Sequence, residues 1–370
     1  MHILIRLVLH LLWFICPVVR AEAMPIPKIE VIKTLNKQIV YAIEIDPRQF
    51  SISPVHAQNQ AFGRENLQDI AKRHHAVLAI NGGFFLGGES TNGLPAGILK
   101  IDKQWYGIAY RNRAAIGWCH DKQPITLIDR ITSFTALFTQ NKYYPAQALN
   151  RPSLCHQAIL YTHSYQGSLN LCPSSKNILI ENNHITAINT GNPNISVPLN
   201  GFLYSIGHKS KWFKSPFALQ AQAELKVKIT PQFDPDAALL WDNTTHIVGG
   251  SPLLINNGRL IEDFSVEKLP ATFIRNRYAR TAIGLLSNHN WLLVIVEHNF
   301  RSNGMTLLEL SNFMYTRGCQ AALNVDGGSS SALYIDPLLS EQLKIPPFIG
   351  ESLFFTSPIG DAIIVEYKKN

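Results

Sequence analysis

Strand-like alternation dominates the chain. Ile39, Tyr41, Ile43 and Ile45 are apolar at every second position, and Asp46-Pro47 breaks the run. Between Ser133 and Gly207 the signals are nearly all strand and turn. Residues 158–162, 177–180 and 184–188 read as short strands, with Glu181-Asn182-Asn183 as a turn between the last two. Residues 225–229 alternate again, and a strand over 253–255 runs into the turn Asn257-Gly258. Residues 280–284 open another strand, Ser287 to Asn290 form a turn, and Trp291 to Val296 is a buried strand ending in Glu297. Helical spacing is rarer. Arg64 to His75 places Leu67, Ile70, Ala71 and His74 on one side, and the adjacent His74-His75 reads as solvated. Met305 to Arg317 carries Leu307, Leu308, Leu310 and Phe313, with Gly318 as a stop. The pattern predicts an α+β fold: a strand-rich mixed sheet core with a few helices in a single large domain.

Two of these strands end in diglycines. Ala76 to Ile80 runs into Asn81-Gly82-Gly83-Phe84-Phe85, and Ala321 to Val325 runs into Asp326-Gly327-Gly328-Ser329-Ser330-Ser331. Glycine permits close backbone approach and positive φ. A rigid strand feeding a Gly/Ser loop presents a carboxylate for binding or catalysis. Asp-Gly is also a common hairpin signal, so a turn with a solvated Asp326 is the competing reading. If the two corners converge, they form a pocket floored by backbone and walled by aromatics.

Composition narrows the classes. The chain has 370 residues, 46% hydrophobic and 16% charged, which suits a well-cored globular protein. Met1 to Arg6 is short and basic, Leu7 to Val19 is mostly apolar, and Ala21-Glu22-Ala23 resembles a cleavage site. Residues 1–23 therefore read as a secretory signal peptide, and the product as periplasmic or secreted. No later segment is long and apolar enough to span a membrane. Net charge is +7, and removing Arg6, Arg20 and Glu22 leaves +6, compatible with an anionic substrate. No basic stripe is present, which argues against nucleic acid as a partner. Four cysteines follow the leader: Cys119, Cys155, Cys172 and Cys319. An even count in an exported chain suggests disulfides, with Cys155–Cys172 the favoured pair; buried thiols are the alternative. No CxxC or Cys/His cluster marks a metal site.

Five ordered motifs together resemble the phosphodiester glycosidase family. They are Asn81-Gly82-Gly83-Phe84-Phe85, Gly249-Gly250-Ser251-Pro252-Leu253-Leu254, Arg280-Thr281-Ala282-Ile283-Gly284, Gly304-Met305-Thr306-Leu307 and Asn324-Val325-Asp326-Gly327-Gly328-Ser329-Ser330. Asn150-Arg151 and the segment Leu160-Tyr161-Thr162 are similar to the family's middle region. The resemblance implies a phosphodiester glycosidase-like domain over 24–370 with a motif-bearing core at about 76–332. It departs at Ser329, where the family often carries a third glycine.

The resemblance further implies cleavage of a sugar C1–oxygen bond with a phosphate ester as leaving group, in a glycan or sugar-phosphate substrate. Such a leaving group needs less protonation than an alkoxide and more stabilisation by cations and amides. One essential carboxylate and at least one arginine are therefore expected. Asp326 is the carboxylate, as base or nucleophile, with Glu297 the second candidate. Arg280 is the phosphate partner, and Arg275 or Arg277 could share that task. Asn81 would bind sugar hydroxyls or a metal, unless it satisfies its own turn. Gly82, Gly83, Gly327 and Gly328 supply backbone, while Thr281, Ser329 and Ser330 donate hydrogen bonds. Phe84 and Phe85 are available for stacking, with one of them core. Calcium or magnesium is the candidate cofactor, since Asp326, Asn81 and loop carbonyls are oxygen ligands of the kind these ions take; no loop of regular acidic spacing supports it. A non-catalytic envelope carbohydrate-binding protein and a P–O-cleaving phosphodiesterase are the alternatives.

Overall fold

A computed structural model of the chain describes residues 24–109, 111–119, 125–165, 169–191, 195–350 and 357–368. The expected leader at 1–23 lies outside the described residues. Trp291–Val296, apolar throughout, is buried at every position. It sits inside a seven-stranded antiparallel sheet ordered Lys28–Lys33, Ile39–Ile45, Trp291–Val296, Arg280–Leu286, Cys319–Asn324, Leu253–Asn256 and Arg259–Leu260. Register sets Ile43, Leu293, Ile283 and Leu323 in one row across four strands. The row belongs to the main core, because alternate residues of a strand share a face.

A five-stranded antiparallel sheet lies across that core, ordered Phe348–Ile349, Leu333–Ile335, Leu78–Asn81, Asp361–Tyr367 and Phe50–His56. Its Ile52, Leu78, Ile80, Leu333, Ile363 and Val365 meet the row from the other side. Each sheet is backed by a helix. Leu307–Thr316 covers the first with Leu307, Leu310 and Met314, packed with Ala282, Val294 and Ala322. Thr306 and Glu309 close a capping box at its start, and Gly318 takes φ +83° just past its end. Leu67–Arg73 backs the second sheet with Leu67, Ile70 and Ala71.

A third sheet, which includes Arg113–Cys119, Ile125–Thr139, Ala223–Pro231 and His246–Gly249, lends Ile116, Trp118 and Val248 to the same core. A smaller sheet of five strands, from Ala148–Leu149 to Gly201–Ile206, carries the Cys155–Cys172 disulfide at one end. The strand-rich expectation therefore holds, with few helices. The sheets are less mixed than expected. Among the described residues, the parallel pairing is that of Ala148–Leu149 with Ala158–Thr162, and the other neighbours pair antiparallel, some through short hairpins and others across long stretches of sequence. Asn257 and Gly258 take φ +47° and +69°, as a two-residue hairpin turn requires. Among the described residues, no helix is long and apolar enough to cross a membrane.

One buried carboxylate joins the first and third sheets. Glu267 accepts from Arg130 Nε at 3.1 Å, Leu253 N–H at 2.8 Å, the Ser251 hydroxyl at 2.7 Å and Ala114 N–H at 3.3 Å. Removing it would strand the Arg130 charge in the interior, since Arg130 is only 4% exposed. Glu267→Ala is expected to lower the free energy of unfolding in urea by about 3–5 kcal/mol. A loss below about 1 kcal/mol would mean that other contacts hold the two sheets together.

Candidate active site

Three glycine corners converge. The Asn81-Gly82-Gly83 corner follows Leu78–Asn81, the Gly249-Gly250 corner precedes Leu253–Asn256, and the Asp326-Gly327-Gly328 corner follows Cys319–Asn324. Gly82 is the hinge. Its N–H donates to the Asp361 carbonyl at 3.0 Å, and its own carbonyl accepts from Asp326 N–H at 3.3 Å. A Cβ on Gly82 would lie 1.9 Å from Asp361 Oδ1. A Cβ on Gly83 would lie 2.9 Å from the Gly249 carbonyl oxygen, and one on Gly250 would lie 2.4 Å from that of Asn324. The backbones pack this closely because none of the three carries a side chain.

Two aspartates result. Asp326 is half-buried at the loop mouth; its Oδ1 accepts Gly327 N–H at 2.9 Å, and the Ser330 side chain bonds it as well. Asp361 opens the strand Asp361–Tyr367 and is 2% exposed; its Oδ1 accepts Gly83 N–H at 2.9 Å. Desolvation pushes the Asp326 carboxyl up to about 6, against the pull of Ser330 and Gly327. Desolvation, against the pull of Gly83 N–H and with help from the charge of Asp326, raises Asp361 to about 7. The sequence reading missed Asp361. Its only local signal is Gly360-Asp361 ahead of the apolar run Ala362 to Val365, where the carboxylate opens a strand instead of ending one.

The other expected site residues divide. Asn81 is 1% exposed and fully engaged. Its amide donates to the Asp326 carbonyl at 2.8 Å, and its Oδ1 accepts from the Thr281 hydroxyl at 2.7 Å and from Ala332 N–H at 3.3 Å. These bonds stitch the two corners together. Thr281 is fully buried and belongs to the same stitch, 3.1 Å from Ser331 Oγ. Arg280 is 1% exposed, and burial pulls its guanidinium down to about 10. It donates through Nε to the Met305 carbonyl at 3.0 Å and through Nη2 to those of Phe273 and Asn276 at 2.8 and 3.1 Å. It also stacks over Phe273 and Tyr278. Arg277 pairs with Glu309. Glu297 accepts from the Tyr41 hydroxyl and from Asn299, both at 2.8 Å. It lies two strands from the Asp326 corner, on the order of 10 Å away.

Phe84 is half-buried, stands edge-on to Phe273 and lines the pocket that Asp361, Gly83 and Gly249 also line. Phe85 packs with the core behind the second sheet. Gly328 takes φ +62°, which favours glycine, and its N–H donates to the Ala279 carbonyl at 2.8 Å. Ser329 is exposed and avoids positive φ, so serine fits there without strain. Ser330 is buried. Among the described residues, the one His/Cys/Asp/Glu group of three or more compact enough for an ion is Cys155, Cys172 and His208, whose sulfurs are joined in the disulfide. The oxygens that could hold calcium or magnesium at the corners belong to Asp326, Asp361 and nearby carbonyls.

Comparison with known proteins gives consistent matches. The family model described as phosphodiester glycosidase (NAGPA) matches residues 175–366. That span includes Arg280, Glu297, Asp326 and Asp361, and it begins after the Asn81 corner. An uncharacterized Rickettsia conorii protein is 27% identical over 241 residues, 63% of this chain and 79% of that one. A hypothetical protein from Synechocystis superposes with a TM-score of 0.75 at 24% identity, over 92% of this chain and 61% of that one. A Burkholderia pseudomallei protein gives 0.70 at 17% identity, over 89% and 74%. These two share the fold. This chain spans less than two thirds of the Synechocystis chain.

The two raised carboxyls fix a pH dependence. From an ordinary 3.8 they rise to about 6 and about 7, so the folded protein keeps protons that the unfolded chain has released. Their contribution to stability is full below about pH 4 and is lost as pH rises through 6 and 7. In urea unfolding at stepped pH, Asp361→Asn is expected to show a shallower fall over that range than the unaltered protein. Parallel curves would overturn the assignment of a raised Asp361.

Proposed function

Because this chain belongs to the phosphodiester glycosidase family, we propose that it hydrolyses a sugar-1-phosphodiester at the C1–oxygen bond, with Asp326 as the essential carboxylate. The observation that carries this reading is the meeting of Asp326 and Asp361 through Gly82 beside a pocket that Phe84 and Asp361 line. A sugar carbon losing its leaving group gains oxocarbenium character, which a nearby carboxylate stabilises or captures. Asp326 is the less buried of the two and is largely ionised at neutral pH. Asp361 is deeper and holds a proton for part of the time near neutrality. Unequal environments that separate two carboxyls in this way divide their tasks. In this reading Glu297, the second candidate for that carboxylate, takes no part, and Asp361 positions Asp326 and the corner. The overall balance is simple: water adds to C1 and a phosphate monoester departs.

The leaving phosphate needs donors. Arg280 has three of its five N–H groups on carbonyls, and the pair on Nη1 is proposed to meet the phosphate. The carbonyls and aromatic rings hold that guanidinium in one orientation, which favours pre-organised stabilisation. Phe84 is proposed to stack on the sugar. Export to the periplasm or medium is part of the same proposal, supported by the leader-like residues 1–23 and by the Cys155–Cys172 disulfide.

Phosphorus NMR of a GlcNAc-1-phosphodiester turned over in oxygen-18 water tests the bond that breaks. Label in the sugar with an unlabelled phosphate monoester is expected. Label in the phosphate would make the protein a P–O phosphodiesterase. Absence of turnover across a panel of sugars would favour a carbohydrate-binding protein. Asp326→Ala is expected to lower turnover by about two to four orders of magnitude with a nearly unchanged melting temperature. Normal turnover with lost stability would sink the assignment.

A further inference from the structure

The pocket at Asp361 is small, about 20 Å³, and borders a larger cavity. That pocket shares Ala96, Ala109 and Arg113 with a second cavity, which Leu86, Ile108, Leu149 and Arg151 also line. The outer cavity measures about 380 Å³, within the roughly 300–1,000 Å³ of small-ligand sites. Its walls are mostly apolar. Its one amide side chain, Gln147, already accepts Ala158 N–H at 2.7 Å through Oε1. No carboxylate lines it among the described residues. Arg151 is half-buried, donates to the Pro95 carbonyl and has no carboxylate partner among the described residues. Burial lowers its guanidinium to about 10, which marks a cation in poorly solvated surroundings.

We propose that this cleft is an aglycone subsite for an alkyl or similarly apolar alcohol, with Arg113 and Arg151 meeting the anionic phosphate end. The proposal deepens the glycosidase reading and rests on it for the identity of the reaction. A sugar or polyol aglycone would call for a rim of hydroxyl, amide and carboxylate side chains. Here the arginines and one engaged amide are the polar side chains. An alkyl chain fits the walls of Leu86, Ile108 and Leu149 and needs no hydrogen-bond partner. The phosphate end fits two guanidinium groups. A lipid-linked substrate and a short free alkyl ester present the same chemistry, and chain length separates them.

Titration calorimetry with octyl phosphate, glycerol 3-phosphate and inorganic phosphate tests the subsite without any turnover. Octyl phosphate is expected to bind at least roughly tenfold more tightly than the other two, as burial of several methylenes predicts. Arg151→Gln should weaken it about tenfold through loss of a charged donor. Leu86→Ser should erase the preference for the octyl chain and leave inorganic phosphate unchanged, with an unaltered melting temperature as the control for folding. Equal affinity for the three phosphates, no binding of octyl phosphate, or indifference to Arg151→Gln would overturn the proposal. Octyl phosphate binding without C–O cleavage would sink the glycosidase reading and leave the subsite standing. If a dodecyl phosphate binds more tightly again, a lipid-length chain is the favoured source; a plateau at octyl favours a short ester.

Discussion

The site depends on a steric constraint: the chain carries no side chain at three points where backbones meet. Gly82 bridges Asp326 and Asp361 through its own peptide groups, with the Asp361 carboxylate where a Cβ would otherwise be. Gly83 and Gly250 let their corners approach the carbonyls of Gly249 and Asn324. The corners meet where strands of three sheets end: Leu78–Asn81 of the second, His246–Gly249 of the third and Cys319–Asn324 of the first. Side chains at the three glycines would push the corners apart and separate the carboxyls.

Burial of charge is handled in two ways within the same region. Glu267 is fully buried, but four donors, one of them a guanidinium, surround its oxygens. It is an anchor, joining the strand that leaves the Gly249-Gly250 corner to the third sheet. Asp361 is buried almost as deeply, with Gly83 N–H as the donor on its carboxylate and a second carboxylate close by. The difference in partners explains why burial leaves Asp361 near neutrality in its titration. Arg280 resembles Glu267 in being held from several sides, but its partners are carbonyls and rings without a countercharge. Its positive charge therefore stays uncompensated behind the aromatic wall that Phe84 and Phe273 form.

Membership of the phosphodiester glycosidase family and this geometry point the same way. The family match extends beyond Ala332 to the last strand and so takes in Asp361, a residue outside the motif core drawn from sequence. The structures sharing the fold leave the substrate open, so the chemistry of the cleft is the source of any statement about the aglycone. Arginines at one end and an apolar wall beyond them are features of this chain's own side chains.

The sequence by itself determined many of the strands and the two main helices, while Arg113–Cys119 and Asp361–Tyr367 went unread. Ile39 to Ile45 and Trp291 to Val296 declare their burial by composition and period, and Thr306, Glu309 and Gly318 bound their helix by local chemistry. These signals act over a few residues, which is why they can be read along the chain. Cys155 and Cys172 were legible for a similar reason, being only 17 positions apart. Tertiary structure alone decided that the glycine corners meet, that Asn81 and Thr281 spend their hydrogen bonds on the scaffold, and that Asp361 stands beside Asp326. Those facts join residues 81, 281, 326 and 361, whose proximity depends on how two sheets pack. Side-chain solvation and charge coupling follow from that packing, and no local pattern carries them.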